Sequence, residues 1–373
     1  MNVITKATLL SNSLSTRMSW ESQFKPLLKL HEFRTRLGVD NTLLSLHQDF
    51  AQNEVYAQKF LEFYEGYYQQ ALFSGDKTVK VFKLTEEKFL KVYEAYKGLQ
   101  VASDISTEFF PFSVPKDRLD ELGSETQLSA ITQAHEKLYI FMSTCRQIVE
   151  KIEIDPKMFD ITEEVSQFLN KFSRLTAFSD NPRQYLDIVV LNPKDFTIEL
   201  RLDTSSAVAK KDIEKLFREL QEAFVELLDE RFDFYMFENV VNFFPFIEQL
   251  YLDKDDEGRV VELSFTTDGG YVHNEKDRKK TKSNDVREGA FHQGGSEKCD
   301  VYPYRISKRW EFEFTSELKY EYELSLNSNY RELSKPTGNG ILDHAVIAMC
   351  PSVEKFDELL ERLKNKDELS EAV

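Results

Sequence analysis

Cysteine is scarce in this chain, with Cys145, Cys299 and Cys350 the only three among 373 residues. Their odd number and wide spacing exclude a disulfide framework and a CxxC metal knuckle, and Cys145 and Cys350 read as small core residues. No uncharged apolar run approaches the roughly 18 residues that a membrane span needs, and the first twenty residues lack the continuous apolar segment of a signal peptide. A soluble, cytoplasmic protein with no membrane partner is therefore expected. The six histidines show no HxH or HExxH spacing, so the usual zinc signatures are missing. Glycine pairs occur at TTDGG, HQGGS and PTGNG, but none has the spacing of a Walker or dinucleotide loop, and turn chemistry accounts for all three. There is no internal repeat and no low-complexity tract.

Positive charge is also in short supply. The formal net charge is −17, with 21 cations against 25 carboxylates in residues 1–180 and 27 against 40 in the remainder. A field of that sign repels phosphate backbones at long range, which disfavours nucleic-acid binding over a broad face. Aromatic residues, by contrast, are plentiful: 30 Phe and 16 Tyr are enough to build a large core and to exclude wholesale disorder.

The spacing of those apolar residues divides the chain. In the first half the period is helical. Trp20, Phe24, Leu27, Leu28 and Phe33 form one stripe, and further helices are expected over 41–52 and 54–73. LTEEKFLKVYEAYKGL reads as another, with Thr85 as N-cap and Gly98 as its stop. Ser124 with Gln127 fits a capping box, so SETQLSAITQAHEKLYIFMSTCRQIVEKI is read as a long helix. A further helix is expected from Thr162 toward Phe178.

From Tyr185 the character changes to short β-branched runs between turn signals. YLDIVVLNPKDFTIELRLD predicts a hairpin about an Asn-Pro turn, FPFIEQLYLD with RVVELSFTT a second, and SKRWEFEFTSELKYEYELSLN a third. Ile213 to Leu228 and Val353 to Leu363 carry amphipathic helical patterns, and HAVIAMC reads as a buried strand. The fold class expected is α+β, an N-terminal helical bundle followed by a mainly antiparallel sheet domain with flanking helices. The domain division expected is 1–180 for the all-α part and 181–373 for the α+β part, with a long basic loop at 270–302.

Three groups of residues invite a chemical reading. In the third hairpin, a register with paired positions summing to 632 sets Trp310 opposite Tyr322 and Phe312 opposite Tyr320. On the other face it sets Glu313 opposite Lys319 and Arg309 opposite Glu323, leaving Glu311 and Glu321 as the one like-charge pair. That neutralisation favours a solvated face over a cation site. In the first hairpin, a register summing to 388 sets Asp187 opposite Arg201 with Glu199 diagonal on the same face, an arrangement that could hold Mg2+ or Mn2+ in a phosphodiesterase or nuclease. An exposed cross-strand ion pair would look the same. His344 beside Asp343, and Cys299 seven residues from His292, are weaker candidates for packing and for thiol chemistry.

The third group is the loop. Lys276, Arg278, Lys279, Lys280, Lys282 and Arg287, against Glu275, Asp277 and Asp285, give a local charge of +3 inside an acidic chain. Apart from Tyr271 and Phe291 the stretch lacks large apolar residues. It reads as a ligand-free excursion, as a contact with an acidic partner surface (a second copy included), or as a contact with nucleic-acid phosphates over 276–287. The leading expectation is a non-enzymatic interaction protein, a subunit or accessory factor of an assembly with a protein partner and no cofactor, using this loop as its contact element.

Overall fold

The structure, a computed structural model, describes residues 1–154, 165, 168–169, 175–205, 210–228, 234–254, 258–278, 284–316, 318–333 and 340–364. It is an α+β fold, with a helical N-terminal region laid against a ten-stranded antiparallel sheet. The helices are α1 (Val3–Arg17), α2 (Lys25–Leu30), α3 (Val39–Gln52), α4 (Glu54–Phe73), α5 (Glu86–Lys97), α6 (Ile105–Phe109), α7 (Lys210–Glu226), α8 (Pro245–Leu252), α9 (Ala290–Ser296), α10 (Tyr330–Leu333) and α11 (Val353–Arg362). The strands are β1 (Lys77–Lys83), β2 (Gln127–Ala134), β3 (Lys137–Ile154), β4 (Leu175–Asn192), β5 (Thr197–Asp203), β6 (Arg259–Thr267), β7 (Val272–Lys276), β8 (Val301–Thr315), β9 (Leu318–Asn327) and β10 (Ala345–Ala348). Across the sheet they run β2-β3-β4-β5-β1-β10-β9-β8-β6-β7.

The N-terminal helices form where the apolar period places them. Asn2, Asn53 and Thr85 cap α1, α4 and α5 by accepting from the backbone N–H three residues on, as good N-caps do. Phe24, Leu28, Phe33, Phe50, Phe60 and Tyr64 fill the space among α1 to α4, with Phe60 and Tyr64 stacked at 4.4 Å. This layer seats on the end of the β8–β9 hairpin, where Tyr320 joins the same core and Phe314 meets Tyr67 at 5.0 Å. The hairpin itself has the expected register: Trp310 faces Tyr322, Phe312 faces Tyr320 and Glu313 faces Lys319. Arg259 bridges the like-charge pair, reaching both Glu311 and Glu321.

Helices cover the middle of the sheet on both sides. Phe89 and Tyr96 of α5 and Phe217 and Phe224 of α7 pack on Val189, Ile198, Leu200 and Leu202. On the opposite face Phe356, Leu359 and Leu360 of α11 pack with Val79, Val81, Ala345 and Ile347. Strand β5 is consequently buried along its whole length.

Several expectations are corrected. The helix read over 124–152 is the β2–β3 hairpin. Its apolar run sends Leu138, Ile140 and Met142 to one covered face and Tyr139 and Phe141 to the other, and such a doubly buried strand mimics a helical stripe. TVKVFK, which no expectation assigned to an element, is β1 at the centre of the sheet. PFIEQLYL, read as a strand, is α8, started by Pro245 and burying Phe246, Ile247 and Leu250 on one side. Leu175–Phe178 belong to β4, while most of the helix expected from Thr162 lies outside the described residues. β4 also runs unbroken through 180–183, and β1, β2 and β3 come from the part expected to be all-α, so strands from both sides of that expected boundary share one sheet.

The β2–β3 turn supplies a test whose sign separates the two readings. Ala134 pairs with Lys137, and the two residues between them, His135 and Glu136, have φ of 48° and 62°. Both are strained for L-residues and suit the Asn-Gly sequence of a two-residue hairpin. The double substitution His135→Asn/Glu136→Gly is expected to raise the urea midpoint by an amount worth about 1 kcal/mol. In a helix the same glycine would lower it by about as much.

Candidate functional site

The first hairpin pairs one residue away from the expected register: Ile188 faces Arg201 and Val190 faces Glu199. Because side chains alternate, this single step puts Asp187 on the opposite face from Glu199 and Arg201. The three residues do not converge on one ion. Asp187 is fully buried, bridged by the Arg146 guanidinium, and accepts from the Asp203 backbone N–H at 2.8 Å. Burial raises its carboxyl above the ordinary value, and Arg146 offsets only part of that effect.

Glu199 and Arg201 face α11 and sit in a closed network of charges. Arg201 donates through Nη2 to Glu199 at 2.6 Å, approaches Asp357 at 3.3 Å and lies 4.2 Å from the Phe356 ring centre. Lys364 closes the other side, with Nζ 2.9 Å from both Glu199 and Asp195. Lys137 reaches Asp357 at 2.8 Å. Burial alone would raise Glu199, but Lys364, Arg201 and Lys137 outweigh it and hold the carboxyl well below the usual range.

A second network ties the helical layer to the sheet. Arg17 of α1 donates to Asp203 at 2.6 Å, and Asp203 also accepts from the backbone N–H groups of Leu186 and Ser205. Lys77, buried on β1, stands opposite Asp203 in the ladder. Burial opposes ionisation of Asp203, yet Lys77 and Arg17 keep it far below its ordinary value, while burial lowers Lys77 itself. Beside this network a cavity of about 20 Å³, lined by Arg17, Gln23, Asp76, Tyr320 and Met349, has room for about one water. Neither Arg17 nor Lys77 carried a sequence signal, since a lone cation in an amphipathic segment ordinarily points to solvent.

Among the described residues one group of three has metal-ligand geometry: Glu214, Asp343 and His344. Its centre is taken by Lys80, whose Nζ lies 2.8 Å from Glu214 and 2.6 Å from Asp343. His344 Nδ1 lies 2.8 Å from Asp343.

The basic insertion is folded for much of its length. β7 pairs with β6, a 3-10 turn spans Val286–Glu288, and α9 follows. Its cations have separate fates. Arg287 is buried, with Nε and Nη2 on Asp285 at 3.0 and 2.6 Å and Nη1 on the carbonyls of Tyr251 and Asp253, both at 2.7 Å. It is a structural brace. Lys276 pairs with Glu262, Arg278 is exposed, and Lys279, Lys280 and Lys282 lie outside the described residues.

His292 is buried under α9. Its Nδ1 lies 2.9 Å from Glu275 of β7 and its Nε2 3.0 Å from the Tyr251 hydroxyl, with Phe265 packed edge-on at 5.5 Å. This Tyr–His–Glu chain, which the sequence did not suggest, fastens α9 to the inner face of the sheet. Cys299 bonds the Gly295 carbonyl at 3.2 Å instead of His292.

Four large apolar side chains are exposed at this corner among polar ones. Tyr271 is 71% exposed, Val272 57%, Phe291 78% and Tyr302 43%. Val272 and Tyr302 flank Thr266 in one cross-strand row, so both point to the same side of the sheet. The rim of β7 and α9 therefore presents aromatic and aliphatic surface beside Arg278, whereas the acids and bases named above are bonded to one another. No protein-family model matches the chain, and comparison with curated proteins finds no significant similarity.

Glu199→Gln removes the carboxylate shared by two buried cations and is expected to cost roughly 3–5 kcal/mol at neutral pH, measured by urea titration. Glu199 and Asp203 are depressed in the folded state, so their stabilisation is complete above their ordinary values of 4.5 and 3.8. It is lost as pH falls from there toward the folded values. Asp187, being raised, acts in the opposite sense. Wild-type stability should thus decline with acidification below about pH 4.5, and the decline should be shallower in Glu199→Gln.

Proposed function

We propose that the chain is a non-enzymatic interaction protein, a subunit or accessory factor of a cytoplasmic assembly, and that the β7–α9 rim with its basic loop is the contact element. One observation carries this reading. Tyr271, Val272, Phe291 and Tyr302 are all exposed at the end of the sheet, Val272 and Tyr302 on one face and Phe291 on the helix that covers the other, and the cation-rich stretch from Lys276 to Lys282 follows β7 in sequence. Exposed aromatics on a strand that runs on into a cation-rich stretch suit a protein surface that is apolar with an acidic border. Aromatic anchors supply most of the binding energy in such contacts, and the lysines and arginines raise the rate of encounter.

The rim stands on a rigid base, which also supports the reading. Arg287 and His292, each bonded on two sides, fix the 3-10 turn and α9 relative to β7, so the exposed rings are held in place before any partner arrives.

The test is co-purification of the tagged full-length chain from its native source. The companion bait carries Tyr271→Ser and Phe291→Ser, and a control carries Leu37→Ser, which alters a 92% exposed leucine preceding α3. A protein recovered with wild type and with the control, but at least tenfold depleted with the rim variant, is the expected result. Equal recovery by all three baits overturns the proposal, as does recovery of nucleic acid alone or of nothing.

A further inference from the structure

Strand β7 ends the sheet, and its pairing shows which of its backbone groups are committed. The Thr267 N–H donates to the Tyr271 carbonyl at 3.2 Å and the Asp277 N–H to the Val261 carbonyl at 2.9 Å. In an antiparallel ladder this sets the odd-numbered residues as the hydrogen-bonded pairs with β6. The N–H and C=O groups of Val272, Asn274 and Lys276 therefore point away from β6, along the open edge. Among the described residues no strand pairs with that side. At the other end of the sheet, α6 packs against β2. The two ends are thus unequal, and β7 is the one left as a template.

We propose that the occupant of this edge is β7 of a second copy, paired antiparallel about a two-fold axis through Asn274. The inference rests on the interaction reading above and names its partner. The sequence of the strand complements itself in this register. His273 falls opposite the other copy's Glu275, Val272 opposite Lys276, and Asp277 opposite Tyr271, so no like charges meet. The uncharged Asn274 meets itself on the axis. Any residue at that position is paired with its own kind, so an ionised side chain there would be repelled.

A two-fold contact uses both edges and closes, giving a dimer instead of a filament. The short ladder buries little area by itself. Tyr271 and Phe291, exposed near this edge, extend it toward the size of a reversible interface. The product is a continuous twenty-stranded sheet, twice the ten strands of one copy.

Sedimentation velocity of the full chain from about 1 to about 100 μM tests this, the range in which a small interface associates. Wild type should pass from monomer to dimer with rising concentration. Asn274→Pro deletes one outward N–H at the axis without touching a β6 bond, and should remain monomeric with an unchanged melting temperature. Asn274→Asp leaves the backbone intact and sets two carboxylates across the axis, which should weaken association by about tenfold. It keeps the test valid if the proline variant misfolds. A wild type that stays monomeric throughout, or an Asn274→Asp variant that dimerises like wild type, overturns the inference. The rim could still capture a different protein in the co-purification experiment, so the two readings fail separately.

Discussion

Covering a sheet on both faces leaves its central strands with no route to water, and here β5 brings Glu199, Arg201 and Asp203 into that dry space. Each would be prohibitively costly alone. Their partners come from distant parts of the chain: Arg17 from the first helix, Lys77 from β1, Lys137 from β3, Lys364 from just beyond α11. The helical layer, the sheet centre and the C-terminal helix can therefore be assembled only in the arrangement that satisfies all of these charges. Apolar packing brings the layers together, and the charges select one registry among the arrangements that packing alone would allow.

The same economy explains the division between interior and rim. Inside, ionised groups face one another at hydrogen-bond distance, with guanidinium groups over aromatic rings such as Arg201 on Phe356 and Arg146 on Tyr185. At the β7 end the pattern is reversed. Ionised Arg287 and the buried His292 brace the backbone from within, and large apolar rings are turned outward. Bracing a short edge strand and a short helix in this way gives an exposed surface a fixed shape, which a free loop of the same composition would lack.

Legibility in the sequence followed the number of faces that each element buries. Helices α4, α5, α7 and α11 have one apolar side, so their period was readable, as was the Thr85 cap of α5, and the half-exposed β8–β9 hairpin revealed its register through its alternation. Strands buried on both faces were misread. LYIFM in β3 offered no alternation, and in β4 and β5 the matching of apolar positions favoured a sum of 388 over the observed 389, a single step that moves Asp187 to the face opposite Glu199. Only packing decides between them. Of the candidate site, the cationic stretch and the exposed Tyr271 and Phe291 were visible in composition. The Arg287 brace and the Tyr251–His292–Glu275 chain were not, because they join side chains from separate elements through contacts that no local pattern encodes.

Strand β1 pairs on one side with β5 and on the other with β10, so Thr78 lies beside Val346. A ribosome making this chain releases β1 long before β10. Until then the nascent protein carries the unmated flank of its most central strand. Contacts so remote in sequence close slowly and leave sticky backbone uncovered meanwhile.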